Sequence, residues 1–254
     1  MRKRILPLII LLLILSSCYC LLASNIDNTK IDWWLVRSKD HSTPGVNDKL
    51  NFKLEDYDAY YVGDTSSKVL YLTFDEGYEK GYTPQILDTL KAKNVKAIFF
   101  VTSPYVTKNP DLIKRMVDEG HIVANHSNHH PSMPTYTNDP NKFANELNDV
   151  ASKYEAITGQ PMVKLFRPPM GHYSEKSLAM TKELGYKTIF WSLAYSDYNV
   201  DKQPSPEYAK KIILDNLHNG SIMLLHAVSK TNTQILGEVI DAAHQMGYTF
   251  ELLQ

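Results

Sequence analysis

One stretch decides the fold of this chain of 254 residues: VLYLTFDEG, residues Val69–Gly77. Its first six residues are apolar, aromatic or β-branched, the types that favour a buried β-strand. The run stops at two adjacent carboxylates, Asp75 and Glu76, which are costly to bury unless they are paired. This pattern predicts a strand that delivers carboxylates to a ligand, although Asp-Glu-Gly after a strand is also typical of an ordinary turn.

Beyond this strand the chain alternates apolar runs with segments that have helical start and stop signals. Capping residues or prolines predict helix starts at Thr83-Pro84, Asn109-Pro110, Asp139-Pro140, Ser174 and Ser205-Pro206. Apolar runs predict strands at 97–101, 122–124, 164–166, 188–193, 221–225 and 248–252. About seven βα units with apolar strands predict an α/β fold, a parallel sheet covered by helices that is either barrel-like or doubly wound. Right-handed connections and the chain length favour a closed or nearly closed barrel.

Five of the predicted strands are followed by polar or ionisable side chains. These are Asp75 with Glu76, the segment Asn125–His130, Arg167, Asp197 and His226. In a parallel α/β barrel the carboxyl ends of the strands share one face, and active sites lie on that face. The sequence therefore predicts that these residues form a single site.

Two histidines in this set predict a metal site. His126 and His130 are four residues apart, a spacing that lets two imidazoles converge on one ion from a helical turn or a tight loop. Pro131 after His130 favours the loop. A carboxylate from another strand would complete a set of two histidines and one carboxylate with open positions for water and substrate. We expect His129 to point elsewhere.

The remaining charged residues fit supporting roles. Arg167 is suited to clamp a carboxylate and hold it ionised, and its alternative is an ordinary surface ion pair. Asp197 could orient His226 and raise its pKa, which would make His226 a usable general acid. The alternative for His226 is a hydrogen-bonded core histidine.

The N-terminus resembles an export signal. Arg2, Lys3 and Arg4 precede the apolar run Ile5–Leu15, which predicts a signal peptide or membrane anchor over residues 1–23. Three endings are open: a lipid on Cys18 in a lipobox-like context, cleavage after residue 23, or an uncleaved span. Membrane tethering is preferred slightly to full secretion, and any membrane contact is expected only through this segment. Both cysteines of the chain lie here, so no disulfide is expected in the rest.

The remaining chain divides into two parts. Residues 24–67 are predicted to be an irregular arm in which Trp33 and Trp34 anchor packing, with sugar stacking as the alternative. Residues 68–254 are predicted to be the catalytic domain. Lys and Arg number 27 against 28 for Asp and Glu, a net charge of −1, so no basic surface indicates a nucleic-acid partner.

Five ordered motifs carry a family resemblance. They are TFDEG at 73–77, HSNHH at 126–130, RPP at 167–169, DY at 197–198 and LLH at 224–226. Together they resemble the motifs of the polysaccharide deacetylases, carbohydrate esterase family 4, with the NodB-like domain. Through FDEGYEKGYTP at 74–84 and the Trp-bearing arm, the chain is most similar to the delta-lactam-biosynthetic de-N-acetylases of endospore peptidoglycan.

This resemblance implies a distorted parallel (β/α) barrel that hydrolyses N-acetyl groups on a glycan. It also implies roles for the motif residues. Asp75 would be the base, held by Arg167, and His226, oriented by Asp197, would be the acid. A backbone N–H near Met170 would meet the oxyanion. The metal ligands would be His126, His130 and Glu76.

The resemblance also implies a cofactor, a substrate and a location. The cofactor would be a divalent metal, zinc being expected and cobalt, manganese or magnesium the alternatives. The partner would be the peptidoglycan glycan strand, deacetylated at muramic acid so that delta-lactam can form in spore cortex. A monomer is expected, tethered to the membrane or secreted to the cell wall or the forespore intermembrane space. Alternatives are deacetylation of N-acetylglucosamine in peptidoglycan or chitin-like oligomers, O-acetyl ester hydrolysis, or a silent glycan-binding module.

Three positions depart from the family pattern. Glu76 occupies the place of an aspartate that usually binds the metal. Ala194 replaces an aspartate common in the fourth motif, and Tyr198 replaces a tryptophan. We expect Glu76 to alter metal binding and the other two to reshape the sugar pocket.

Overall fold

The computed structural model describes residues 26–47 and 49–253. The predicted leader at 1–23, with Cys18, lies outside these residues. Within the described part of the chain, no helix is both long enough and apolar enough to cross a membrane.

The largest sheet in the described ranges has nine strands, and all its strand pairs are parallel. Its strands are β4 (Ala59–Tyr60), β5 (Val69–Glu76), β6 (Ile98–Val101), β7 (Ile122–Asn125), β8 (Leu165–Phe166), β10 (Lys187–Ile189), β11 (Leu193–Ala194), β12 (Ser221–His226) and β13 (Thr249–Phe250). The spatial order is β11-β12-β5-β6-β7-β8-β10-β4, with β13 beside the start of β5.

Seven α-helices of the described chain accompany these strands. They are α1 (Thr83–Ala92), α2 (Ser103–Lys108), α3 (Pro110–Asp118), α4 (Pro140–Thr158), α5 (Glu175–Glu183), α6 (Pro206–Asp215) and α7 (Lys230–Gln245). The predicted ends of α4 are present: the Asp139 side chain accepts from the Lys142 N–H, and Gly159 ends the helix at φ 70°. Helix α1 begins at Thr83 with Tyr82 as its cap, one residue before the predicted start. The six-residue α2 was not predicted, because it is too short to show an apolar period.

The sheet curls into a partly open barrel, and the segment Phe190–Ser192 shows why. The predicted single strand over 188–193 is wrong, since the chain leaves β10, the neighbour of the edge strand β4, and enters β11 at the opposite edge of the sheet. The Phe190 N–H donates to the Tyr60 carbonyl, and the Ser192 N–H donates to the Ile222 carbonyl. Eight strands laid flat would span about 34 Å, whereas three residues reach about 10 Å. The two ends of the sheet are therefore close together, and the predicted distorted barrel is confirmed.

Strand β5 is buried on both faces, and its alternation separates two clusters. Leu70, Leu72 and Phe74 pack in the large core formed with the helices. Val69 and Tyr71 face the barrel interior with Phe100. By the same alternation, Asp75 faces the barrel interior with Val69 and Tyr71, whereas Glu76 faces the helices with Leu70, Leu72 and Phe74.

The N-terminal arm packs against one side of the barrel. Its strand β1 (Ile31–Asp32) pairs antiparallel with β9 (His172–Tyr173), and β2 (Leu35–Val36) pairs with β3 (Gly45–Val46). Trp33 is buried in a cluster with Tyr173 and Phe190, as the packing prediction required, whereas Trp34 is 45% exposed.

Candidate active site

Asp75 lies at the end of β5 in a buried ion pair. Arg167, which is completely buried, donates from Nη1 to Asp75 Oδ1 at 2.8 Å and to Thr73 Oγ1 at 2.7 Å. Burial acts to raise the pKa of Asp75, but the nearby Arg167, His126 and His226 outweigh it, so the pKa lies below its usual value. The carboxyl group is therefore ionised at neutral pH. Its second oxygen, Oδ2, is 3.5 Å from His126 Nε2.

Arg167 is itself held by the neighbouring strands. Its Nε donates to the Ile189 carbonyl at 3.0 Å and its Nη2 to the Phe190 carbonyl at 3.3 Å. The guanidinium also lies over the Phe100 ring, 4.1 Å from the centroid. Arg167 therefore holds the Asp75 carboxylate as a buried clamp, and the alternative prediction of an exposed surface ion pair is wrong.

The two histidines of the HSNHH motif stand side by side. His126 Nδ1 lies 2.8 Å from the Arg167 carbonyl, a contact in which the ring nitrogen must donate, so Nε2 carries the free lone pair. The His130 ring is 4.9 Å from the His126 ring, centroid to centroid. A tight loop brings them together: Ser127 and His130 have φ of 70° and 59°, and the Ser127 hydroxyl accepts from the His130 N–H.

These side chains fit a divalent cation in their chemistry. Burial lowers the pKa of His126 to about 4 and lowers that of His130, so both imidazoles are neutral, the form that binds metals. The free Nε2 of His126 faces the Asp75 Oδ2 beside His130. Among residues 26–47 and 49–253, no group of three or more His, Cys, Asp or Glu side chains forms a complete metal site. The structure thus brings two histidines and one carboxylate close, without a further protein ligand.

Glu76 is not brought to the histidines, which corrects its prediction as a metal ligand. Its side chain is fully buried and is absent from the lining of the cavity that contains Asp75. It has a long contact of 3.4 Å with the Thr83 hydroxyl, and its Oε2 has no hydrogen-bond partner. Burial, together with Glu79 and Asp75, raises the pKa of Glu76 well above its usual value. The reason is the strand pleat, which turns consecutive side chains to opposite faces.

The opposite side of the site is formed by His226 and Asp197. The buried Asp197 contacts His226 Nδ1 through Oδ1 at 2.7 Å and accepts from the His226 N–H through Oδ2 at 2.8 Å. Burial acts to lower the pKa of His226, but the Asp197 charge outweighs it and raises the pKa above its usual value. Nε2 of this ring is left free to face the cavity.

Asp75, His126, His130 and His226 all line one cavity of about 780 Å³. Arg167 and Asp197 lie behind it, each bonded to a lining residue. The residues that follow the five strands therefore converge, as the strand-end pattern predicts.

The family model for polysaccharide deacetylase matches residues 62–189 of the chain. The chain belongs to the polysaccharide deacetylase family. The peptidoglycan-N-acetylmuramic acid deacetylase PdaA of Bacillus subtilis is 44% identical over 229 residues, 90% of this chain and 86% of its own length. The solved structure of B. subtilis PdaA, described as a family 4 carbohydrate esterase, superposes with a TM-score of 0.85 at 43% identity, and the match covers 89% of this chain and 96% of that one. A peptidoglycan-N-acetylglucosamine deacetylase of Bacillus cereus is 31% identical over 188 residues, 73% of this chain and 86% of its own length.

Other residues of the deacetylase site were not predicted. Asn232, in the first turn of α7, donates to Asp197 Oδ2 at 2.6 Å and to the His226 carbonyl at 3.1 Å. It also bonds the Tyr195 hydroxyl. An asparagine inside a helical segment has no periodic signal that marks it as part of a site. Further lining residues without a sequence signal are Thr102, Pro104, Gly171, Trp191, Tyr195 and Val228.

Two of the three departures from the family motifs lie at the deacetylase cavity. Ala194 and Tyr198 both line it, and Tyr198 is 61% exposed, with its ring 5.9 Å from that of His226. His129 is turned outward, as expected, and contacts Glu146 at 2.7 Å, although it also reaches the cavity rim. Met170 lines the cavity with a left-handed backbone, φ 58°.

Proposed function

We propose that this polysaccharide deacetylase removes the N-acetyl group from muramic acid residues of peptidoglycan. The observation that carries this proposal is the paired arrangement around one cavity, where an ionised Asp75 held by Arg167 stands with His226 held by Asp197. A base and an acid with pKa values shifted in opposite directions suit hydrolysis of an amide. The muramic acid preference is supported by similarity to PdaA over 90% of the chain.

The chain's own residues account for the proton transfers. Asp75 Oδ2 takes a proton from a water molecule, whose oxygen forms a bond to the acetyl carbon. His226 delivers a proton to the amide nitrogen, the C–N bond breaks, and the products are acetate and a free amino sugar. Arg167 keeps Asp75 oriented. Asp197 holds Nδ1 of His226, so that Nε2, which carries the transferred proton, faces the cavity.

Polysaccharide deacetylases of this family are metal-dependent in general. We propose that His126 and His130 hold the cation, with zinc as the first candidate and cobalt, manganese or magnesium as alternatives. A bound divalent cation would polarise the acetyl carbonyl and acidify the attacking water. Two imidazole ligands would leave positions on the cation for water and substrate.

The Met170 backbone N–H is proposed as a donor to the oxyanion. It lies on the cavity wall in the Pro169–Gly171 turn, and a backbone donor there does not depend on the side chain. Ala194 leaves space in the wall for the lactyl group that distinguishes muramic acid from glucosamine.

The cellular setting is part of the proposal. Export through residues 1–23, with either a lipid on Cys18 or cleavage, would bring the enzyme to peptidoglycan, where it acts as a monomer. The free amine on muramic acid would then be available for delta-lactam closure in spore cortex.

The test is acetate release from two substrates, each with and without a chelator. One is a glycan with muramic acid residues freed of stem peptide, and the other is an N-acetylglucosamine oligomer. We expect release from muramic acid, loss of release with the chelator, and recovery when zinc is added. Release from glucosamine alone would contradict the muramic acid assignment, and glycan binding without release from either would indicate a silent module.

A further inference from the structure

The arm of residues 26–37 contacts two segments beside the cavity. The first, 169–176, runs from the Pro169–Gly171 turn through β9 into the start of α5, and the second, 191–194, runs from Trp191 into β11. In the first segment, the Lys176 N–H donates to the Asp27 carbonyl, and β9 pairs with β1. In the second, the Ala194 carbonyl accepts from Arg37 at 3.2 Å. Trp33 bonds to both segments: its N–H donates to the Gly171 carbonyl at 2.9 Å and its indole Nε1 to the Trp191 carbonyl at 3.1 Å.

The first of these segments begins with a turn that the surrounding residues must hold in place. Met170 and Gly171 have consecutive left-handed conformations, with φ of 58° and 66°. Such a conformation is unfavourable for methionine and persists where the surroundings hold it, typically at functional sites. Both residues line the cavity.

Trp33 supplies that support by close packing. A Cβ added to Gly171 would lie 2.8 Å from the Trp33 Cβ and 2.9 Å from the Trp191 Cη2, so the glycine backbone is held between the two tryptophans. Trp33 is 6% exposed, and its ring stacks on Phe190 at 4.3 Å between centroids. The Phe190 carbonyl is in turn an acceptor for Arg167. The Trp33 side chain thus contacts the Met170–Gly171 turn, Trp191 in the cavity wall, and Phe190, which bonds to Arg167.

We propose that Trp33 is a positioning residue for deacetylation. It holds the Met170–Gly171 turn and Trp191 in the geometry that the transition state requires, without touching substrate. This inference rests on the proposed function and deepens it. The arm precedes residues 62–189, the part of the chain matched by the family model.

The test is a set of three variants of the full chain: Trp33→Phe, Trp33→Ala and the control Leu54→Ala. Phenylalanine keeps an aromatic ring against Phe190 but removes the donor to Trp191, and alanine removes both. Leu54 is buried in the same hydrophobic cluster as Trp33, whereas the hydrogen bonds to Gly171 and Trp191 come from Trp33. For each variant, kcat and KM are measured on both substrates described above, at a temperature where circular dichroism shows the protein folded.

We expect kcat to fall about tenfold in Trp33→Phe and about 100-fold in Trp33→Ala, because small misplacements of catalytic groups have effects of this size. KM should change less than about threefold, and Leu54→Ala should lower Tm while keeping the wild-type kcat. Wild-type kcat in folded Trp33→Phe, or an equal loss in Leu54→Ala, would overturn the positioning role. If the wild type acts on glucosamine alone, the muramic acid proposal fails, and the same variants test Trp33 on that substrate. A wild type inactive on both substrates contradicts both proposals.

Discussion

Asp75 and Glu76 are adjacent carboxylates with opposite environments. Asp75 faces the cavity and is paired with Arg167, which holds its pKa low against the effect of burial. Glu76 faces the helices, its Oε2 has no hydrogen-bond partner among the described residues, and burial raises its pKa. One step along the strand therefore separates an ionised carboxylate from one whose protonated form is favoured.

The substitution Asp75→Asn tests the proposed base. Asparagine keeps the shape of the side chain but cannot accept a proton, so we expect acetate release to fall by about 10³-fold. The variant should remain folded by circular dichroism, although buried Arg167 loses its counter-charge and stability decreases. Asp215→Asn, at an exposed carboxylate paired with Lys211, is the matched control and should be fully active. Wild-type turnover in Asp75→Asn would remove Asp75 from the mechanism.

The substitution Glu76→Gln tests whether Glu76 binds the metal. The pKa of Glu76 is higher in the folded protein than in the unfolded chain, so the unfolding free energy decreases as the pH rises above the pKa of the unfolded chain. Glutamine does not ionise and removes this loss. We expect the variant to be more stable than the wild type at pH 8 by urea unfolding, with a smaller difference at pH 5. Zinc affinity by calorimetry should be unchanged, whereas His130→Ala should weaken it. A tenfold weaker affinity in Glu76→Gln would restore Glu76 as a ligand.

At the scale of elements, the first turn of α7 supports the strand ends. Ser229 caps the helix by accepting from the Asn232 N–H, and the Asn232 side chain holds Asp197 from the same turn. The orientation of His226 therefore depends on a helix start as well as on its own strand β12.

The substitution Asn232→Ala should impair the general acid without touching the metal site. Asp197 loses a buried donor, so we expect kcat to fall about tenfold and stability to fall by about 1–3 kcal/mol. Zinc affinity should stay at the wild-type value. Thr233→Ala, which removes a hydroxyl bonded to the Ser229 carbonyl in the same turn, is the control and should keep kcat within about twofold. An equal loss of kcat in the two variants would show that helix stability, not the Asp197 contact, matters.

At the scale of the whole molecule, buried neutral histidines link folding to pH. Burial lowers the pKa of both His121 and His126 to about 4. The unfolded chain binds protons at these histidines near pH 6.5, so stability is full above that value and decreases toward pH 4.

We expect His121 and His126 each to lower the unfolding free energy of the metal-free protein by about 2 kcal/mol between pH 7 and pH 5. Glu76 and His226, whose pKa values are raised, act in the opposite direction. His121 lies outside the cavity lining, with its Nδ1 accepting from the Ala97 N–H, so His121→Gln can be studied without altering the active site. The change in unfolding free energy between the two pH values, measured by urea denaturation, should differ by about 2 kcal/mol between the wild type and this variant. Equal pH dependence in the two proteins would mean that His121 takes up a proton in the folded state.

Particular residues show how far sequence alone reaches. The apolar strands and the polar residues after five of them predicted the barrel and the meeting of Asp75, His126, His130, Arg167, Asp197 and His226, because parallel strands share one carboxyl edge. Asn232, Thr102 and Val228 could not be predicted, since tertiary packing brings them to the site and no local pattern marks them. Phe190–Ser192 appeared as part of one strand because local propensity contains no information about which end of the sheet each half joins.

By itself, the sequence of this protein determined the order of strands and helices, the cap residues of α4 and α5, and which side chains stand at the strand ends. Those features depend on local conformational preference and on apolar pattern. Only the tertiary structure decided that Glu76 faces the core, because β5 is apolar on both faces and its pattern does not mark the interior one. It also decided that Trp33 packs against Gly171 and Trp191, since that contact joins residues more than a hundred positions apart.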